Sequence, residues 1–227
     1  MIPSGFYLRD CMDGMREFPD KFFDLAIVDP PYGIGVKASI GGNNKADVKQ
    51  YKEFDDSNIP DRAYFEELTR VSKNQIIWGG NYFIENLKNT SCFIVWDKEN
   101  TGNFADCELA WTSFNSAVRK FSFRWNGMIQ GNMKNKEERI HNCQKPIALY
   151  TWLLQNYAHR GDKILDTHVG SASSLIACHR MGFEYWGFEK DADYYKAASE
   201  RLAKEKEMQP LFEPQEIYKQ EGLTFDA

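Results

Sequence analysis

The sequence contains no apolar run near the roughly 20 residues that a membrane-spanning helix requires. Its opening residues, Met1-Ile2-Pro3-Ser4-Gly5, turn charged at Arg9-Asp10 without the apolar core of a secretion signal. The five cysteines, at 11, 92, 107, 143 and 178, are odd in number and form no C-x-x-C pair. That pattern speaks against a disulfide framework and against a zinc site, so a reducing cytoplasm and no metal are expected. There is no internal repeat, no low-complexity stretch and no overall excess of positive charge: 28 Lys and Arg face 33 Asp and Glu, for a net charge of −5. A chain of 227 residues, 42% hydrophobic and 15% aromatic, has the length and composition of one folded domain, 1–227, with room for a small insertion.

Short apolar runs at 24–28, 75–78, 92–96 and 163–166 read as buried strands, with a weaker fifth at 184–188. Helical segments fall between and after them, at about 61–72, 147–159, 173–181 and 192–205, with Pro146 suited to the first turn of the second. This alternation predicts an α/β fold, a mostly parallel sheet with helices on both faces. Residues 33–60 interrupt it with Gly33, Gly35, Gly41-Gly42 and Asn43-Asn44, the composition of a long mobile loop. The acidic tail beyond about 207 reads as loosely held.

The charge is unevenly placed. Residues 116–146 carry Arg119, Lys120, Arg124, Lys134, Lys136, Arg139 and Lys145 against only Glu137 and Glu138. This window is therefore +5 and the remainder of the chain −10. Phe121, Phe123 and Trp125 lie among the basic residues, and Asn126-Gly127 reads as a turn. Basic side chains attract phosphates and exposed aromatics stack on bases, so the window is a candidate nucleic-acid contact. An edge hairpin kept soluble by its charges is the plainer alternative.

Asp29-Pro30-Pro31-Tyr32 follows directly on the strand 24–28. In an open parallel sheet, ligands collect at the carboxyl ends of strands. Two prolines stiffen the segment, which presents a carboxylate, carbonyls without neighbouring N–H groups, and one aromatic face. Such a set suits a planar ring bearing an amine; a rigid turn ending a strand is the structural alternative.

The tetrapeptide resembles the DPPY motif of the amino-group DNA methyltransferases that use S-adenosylmethionine, in the form typical of N6-adenine enzymes. Cytosine-N4 relatives more often carry Ser at its first position. The resemblance implies a base flipped from double-stranded DNA, with Asp29 and the Pro30 carbonyl holding the exocyclic amine and Tyr32 stacking on the ring.

A second cluster, Asp166-Thr167-His168-Val169-Gly170-Ser171-Ala172-Ser173-Ser174, runs from a strand into a helix. Gly170 permits a tight turn, serines can cap the helix start, and Glu189 ends the next strand nineteen residues on. An acid at that place suits the two hydroxyls of a ribose. The cluster resembles the family's F-x-G-x-G cofactor motif, with His168 where Phe is usual and Ala172 where the second Gly stands, a form similar to that of short phage-type members. The resemblance implies that Asp166, Thr167, His168, Gly170, Ser171, Ser173 and Glu189 surround S-adenosylmethionine, with Asp29 bordering it.

Two further segments resemble family elements. Asp10-Cys11 is similar to the segment that meets the cofactor's adenine, or else is simply a helix cap. Gln144-Lys145-Pro146 resembles the Q-K-P element beside the cofactor pocket, from which Lys145 would reach the methionine carboxylate or a loop carbonyl. The order, with the tetrapeptide first and the glycine turn last, resembles the circularly permuted β-group arrangement. The resemblance spans about residues 6–205 and implies a Rossmann-like methyltransferase fold with target recognition in the insertion, about 116–140. Arg119, Lys120, Arg124, Lys134, Lys136 and Arg139 would meet the DNA. So small an insertion suggests a homodimer. Cytosine N4 methylation and a non-catalytic DNA-binding module of the same fold stay open as alternatives. A nicotinamide-dependent dehydrogenase would share the glycine turn and Glu189, but the full G-x-G-x-x-G is missing.

Overall fold

The computed structural model describes residues 1–35, 59–100, 105–126, 129–141 and 143–208. Most of the loop expected over 33–60, and the tail from 209 on, lie outside the described residues.

In chain order the elements are β1 (Gly5–Leu8), α1 (Cys11–Met15), β2 (Phe23–Val28), α2 (Arg62–Val71), β3 (Ser72–Trp78), β4 (Phe93–Asp97) and β5 (Cys107–Thr112). There follow β6 (Arg119–Ser122), β7 (Trp125–Asn126), β8 (Ile129–Gln130), α3 (Ile147–Tyr157), β9 (Lys163–Asp166), α4 (Ser173–Met181), β10 (Glu184–Glu189) and α5 (Ala192–Glu207). All five expected strands and all four expected helices are present; β1, β5 and β6 had no apolar run long enough to announce them. Two single-turn 3-10 helices, Gly80–Tyr82 and Ile84–Asn86, follow β3.

Eight strands form one sheet in the order β1-β10-β9-β2-β3-β5-β4-β6. The first five run parallel, and β5 is antiparallel to both of its neighbours. Alternate side chains of one strand face opposite layers. Leu25 and Ile27 of β2 join a core with Leu149 and Leu153 of α3 and Ile176 of α4. Ala26 and Val28 pack instead with Met15 of α1 and Phe65 and Leu68 of α2. A strand covered on both faces must be apolar at every position, which is why these strands read as continuous runs.

The chain leaves β2 through α2 toward β3, and leaves β9 through α4 toward β10, in opposite directions along the sheet. Since β2 and β9 are neighbours, a crevice opens where their carboxyl ends part. Both sequence clusters sit at this switch point.

Three local expectations are corrected. Pro146 is the N-cap of α3 rather than its first helical residue, and the Glu137 side chain accepts the Ile147 N–H at 2.9 Å. The N-cap of α4 is Ala172, with no side-chain cap; Ser174 instead donates to Asp166, and Ser173 is held by Ser171 and Arg201. The basic window begins as an edge strand of the main sheet, with β6 parallel to β4. Its aromatics pack inward: Phe121 lies on Trp152, and buried Trp125 donates its Nε1–H to the Gln144 carbonyl at 2.7 Å. Among the described residues, only the short β7–β8 hairpin stands apart from the sheet.

Candidate active site

One cavity of about 660 Å³ spans the switch point. Its wall includes Asp29, Pro30, Pro31 and Tyr32 from the end of β2, Asp10 and Cys11 from the start of α1, and Lys145. Thr167, His168, Gly170 and Ser171 after β9, together with Glu189 at the end of β10, close the other side. Segments far apart in sequence thus share one space of the size that takes a ligand larger than a single ring.

At the tetrapeptide end, the Tyr32 hydroxyl donates to Asp29 Oδ1 at 2.6 Å, and Lys145 Nζ donates to Asp29 Oδ2 at 2.5 Å. Lys145 also donates to the Tyr32 oxygen at 3.2 Å and lies 3.2 Å from Glu108 Oε2, with its side chain 4% exposed. Burial alone would lower its pKa, but the Asp29 and Glu108 carboxylates outweigh burial and drive it upward. Glu108 is desolvated too, yet Lys145 and Lys98 hold its pKa down at about 2. The expectation that Lys145 serves the methionine carboxylate therefore meets a lysine already engaged with two side-chain carboxylates at the tetrapeptide.

Two aromatic neighbours complete this end. Gly79, at φ 70°, lies so close to the Tyr32 ring that a Cβ there would come within 2.2 Å of it. That turn places Tyr82, 48% exposed, in a stack on Tyr32 with centroids 5.1 Å apart and 18° between planes.

At the other end, Gly170 adopts φ 54°, and its N–H donates to Glu189 Oε2 at 2.9 Å. Glu189 Oε1 accepts the Asp191 N–H at 2.9 Å, which fixes the carboxylate plane. Asp10 caps α1 by accepting the Met12 N–H at 2.8 Å, and it also faces the cavity. Burial pushes the Cys11 thiol up to about 12. Buried Tyr64 of α2 shares a hydrogen bond with Thr167 Oγ1 at 2.7 Å, and Thr167 in turn bonds His168 Nδ1 at 2.9 Å. Desolvation brings His168 down to about 4, so its ring is neutral.

Not every expected residue reaches the cavity. Asp166 is buried behind the wall, where it accepts the His168 N–H at 3.0 Å and the Ser174 hydroxyl; burial lifts its pKa to about 7. Ser173 also lies behind the wall, and both residues shape the turn rather than line the ligand space. Of the six basic residues expected at DNA, Arg139 lines the cavity and lies over the Trp125 ring at 5.6 Å. Lys120 pairs with Asp97 at 3.3 Å, and Arg124, Lys134 and Lys136 are exposed. Arg119 stands opposite Ile94 at the amino end of β6, away from the sheet edge that bears the cavity.

Glu108, Lys98, Tyr82 and Tyr64 were not singled out in the sequence as site residues. A usable signal existed only for Tyr82: Gly79-Gly80-Asn81-Tyr82 follows an apolar strand just as the tetrapeptide does.

The family model described as DNA methylase, of the N6/N4 type, matches residues 64–200, more than half of the chain. The chain belongs to the N6/N4 DNA methylase family. The matched span contains Lys145, the glycine turn and Glu189, and begins after the tetrapeptide. Among curated relatives, this methylase is 23% identical to Type II methyltransferase M.HpaI of Haemophilus parainfluenzae over 239 residues, covering 86% of this chain and 73% of that one. Similarity to M.HinfI of Haemophilus influenzae is also 23%, covering 85% and 66%. The methylase shares its fold with the M1.HpyAVI–SAM complex, at TM-score 0.55 and 19% identity, over 86% of this chain and 98% of that one. It also shares it with the cytosine-N4-specific PvuII DNA methyltransferase, at TM-score 0.58 and 13% identity, over 96% and 90%.

Proposed function

We propose that this methylase transfers a methyl group from S-adenosylmethionine to the N6 amine of adenine in double-stranded DNA. The observation that carries the reading is the shared cavity: Asp29-Pro30-Pro31-Tyr32 and the Gly170–Glu189 pair face one space at the switch point.

The residues present suit that cofactor. Gly170 carries no Cβ at the turn, and Glu189 keeps acceptor capacity for two ribose hydroxyls beyond its two backbone bonds. Asp10 can accept from an adenine amine, while Cys11, Thr167, His168 and Ser171 supply the remaining wall. When bound, the cofactor supplies an electrophilic methyl on a positively charged sulfur and leaves as a neutral thioether.

The protein's part is positioning and electrostatics. Asp29 and the Pro30 carbonyl accept the two N–H bonds of the target amine. That draws the nitrogen lone pair out of conjugation with the ring and aims it along the transfer direction. Tyr32 stacks on the extruded base, and Tyr82 moves off its face or forms the second wall. As the new C–N bond forms and the S–CH3 bond breaks, the nitrogen gives up one proton, which the Asp29 carboxylate that holds the amine can take. DNA is approached by the exposed Arg124, Lys134 and Lys136 around the β7–β8 hairpin, in a homodimer that enlarges the footprint.

The deciding experiment incubates the purified protein with isotopically labelled S-adenosylmethionine and unmethylated bacterial genomic DNA, then digests the DNA to nucleosides for mass spectrometry. N6-methyladenosine is expected, and it should vanish in Asp29→Ala while cofactor binding persists. N4-methylcytidine would overturn the adenine assignment, and no label in either base would leave a binding module.

A further inference from the structure

Beyond the tetrapeptide, four side chains of alternating sign run in a line: Lys98, Glu108, Lys145 and Asp29. Glu108 lies on the antiparallel strand β5, opposite Trp96 of β4, and contacts both lysines. Lys145 is enclosed: it donates to Asp29 at 2.5 Å and to Tyr32 at 3.2 Å, the Glu108 carboxylate lies 3.2 Å away as an ion pair, and the Trp78 ring lies 5.3 Å from the ammonium. Glu108 thus holds the ammonium electrostatically beside Asp29, while Lys145 with Tyr32 grips both oxygens of Asp29.

We propose that Glu108 is a positioning residue: through Lys145 it orients the Asp29 carboxylate, and it keeps the cluster neutral so that the cavity accepts a cationic cofactor. This rests on the methyltransferase reading above. The charge arithmetic is direct. Two lysines against Glu108 and Asp29 sum to zero, whereas without the Glu108 charge the cluster carries one net positive charge. S-adenosylmethionine and S-adenosylhomocysteine differ by the methyl group and one unit of positive charge. An excess positive charge beside the site penalises the first and spares the second. Proton shuttling through the line is disfavoured, because Lys145 is held firmly protonated by its two carboxylates.

The test measures affinity for both compounds by calorimetry, and single-turnover methyl transfer to genomic DNA at saturating S-adenosylmethionine. Glu108→Gln should bind S-adenosylhomocysteine within twofold of wild type, but bind S-adenosylmethionine on the order of tenfold more weakly. Its transfer rate should fall on the order of a hundredfold, the effect of a misplaced reacting group. Adding Lys98→Met restores neutrality, so the affinity ratio should return while the rate stays low, since Lys145 still lacks the Glu108 carboxylate. A purely structural Glu108 would move both affinities together. Glu108→Gln with a wild-type ratio and rate would overturn the proposal. Should that variant fail to fold, Glu108→Asp keeps the charge and shortens the reach; a slower rate at an unchanged ratio is expected, and a wild-type rate would overturn the positioning role. Wild-type protein that transfers no methyl group would count against the methyltransferase reading instead, a failure visible before any variant is made.

Discussion

Lys145 and Asp29 lie 116 positions apart in the chain, yet their side chains meet at 2.5 Å in the wall of one cavity. Asp29 sits at the end of a strand core to the sheet, and Lys145 at the entrance of a helix that packs on one face of it. Lys145→Met would leave the Asp29 and Glu108 carboxylates facing each other without their common cation. Breaking a buried pair by removing one partner costs about 3–5 kcal/mol. A drop of that order in unfolding free energy by urea titration is expected, together with loss of methyl transfer.

Two buried histidines and Glu108 each lose a stabilising contribution in acid, in two stages. His141 and His168 both have pKa values lowered to about 4 by burial, so the unfolded chain takes up their protons first. Their contribution is full above pH 6.5 and is lost as pH drops toward 4, by up to about 3 kcal/mol per histidine, while Asp166, lifted to about 7 by burial, acts in the opposite sense as it takes up a proton. Glu108, held at about 2, adds a loss between pH 4.5 and 2 as its carboxylate is protonated. His168→Phe removes one of the two histidines, so its melting temperature should fall less between pH 6.5 and 4.5 than that of wild type. Parallel curves would show that His168 is not protonated on unfolding in that range.

Ala172 adopts φ 63° at the start of α4, in the left-handed region that favours glycine. Its carbonyl accepts the Ile176 N–H at 2.9 Å, so the strain is held by the helix it begins. Ala172→Gly should raise stability by about 0.5–1 kcal/mol, the relief of left-handed strain less the added freedom of the unfolded chain. A rise in melting temperature of a few degrees is the readout.

Tyr82 stacks on the Tyr32 ring, and both line the cavity. Tyr82→Ala should lower kcat/KM for DNA by about tenfold, a stacking effect of about 1.4 kcal/mol. Tyr82→Phe should keep most of the activity, because the stack needs the ring and not the hydroxyl. Affinity for S-adenosylhomocysteine should be the same in both variants.

Arg124→Ala and Lys134→Ala should each weaken DNA binding and reduce the slope of log affinity against log salt by about one. Arg119→Ala should leave that slope unchanged, because the amino end of β6 lies at the opposite edge of the sheet. Fluorescence-anisotropy titrations at several salt concentrations separate the two outcomes.

The parts of the site that were legible were those carried by short, contiguous segments. Asp29-Pro30-Pro31-Tyr32, the Gly170 turn and Glu189 each occupy a strand end, and a strand buried on both faces announces its own end by where the apolar run stops. The basic window misled in part, since composition does not say which way a side chain points. Phe121 and Trp125 read as bases' stacking partners, whereas Phe121 packs on Trp152 from the sheet edge and Trp125 is buried in the core, where it also borders the cavity. Glu108 carried no signal at all, because an isolated glutamate on a half-exposed antiparallel strand is commonplace until two lysines arrive from other segments.

By itself, then, the sequence determined the alternating α/β pattern, the two clusters that face the cavity and the family they resemble, all properties of local runs whose periodicity and residue order survive without coordinates. Only the tertiary structure decided that β2 and β9 are neighbours whose chains depart in opposite directions, and that Lys98, Glu108 and Lys145 converge on Asp29. Those are consequences of strand order and of which helix packs on which face, and long-range packing energies set them rather than any local preference of the chain.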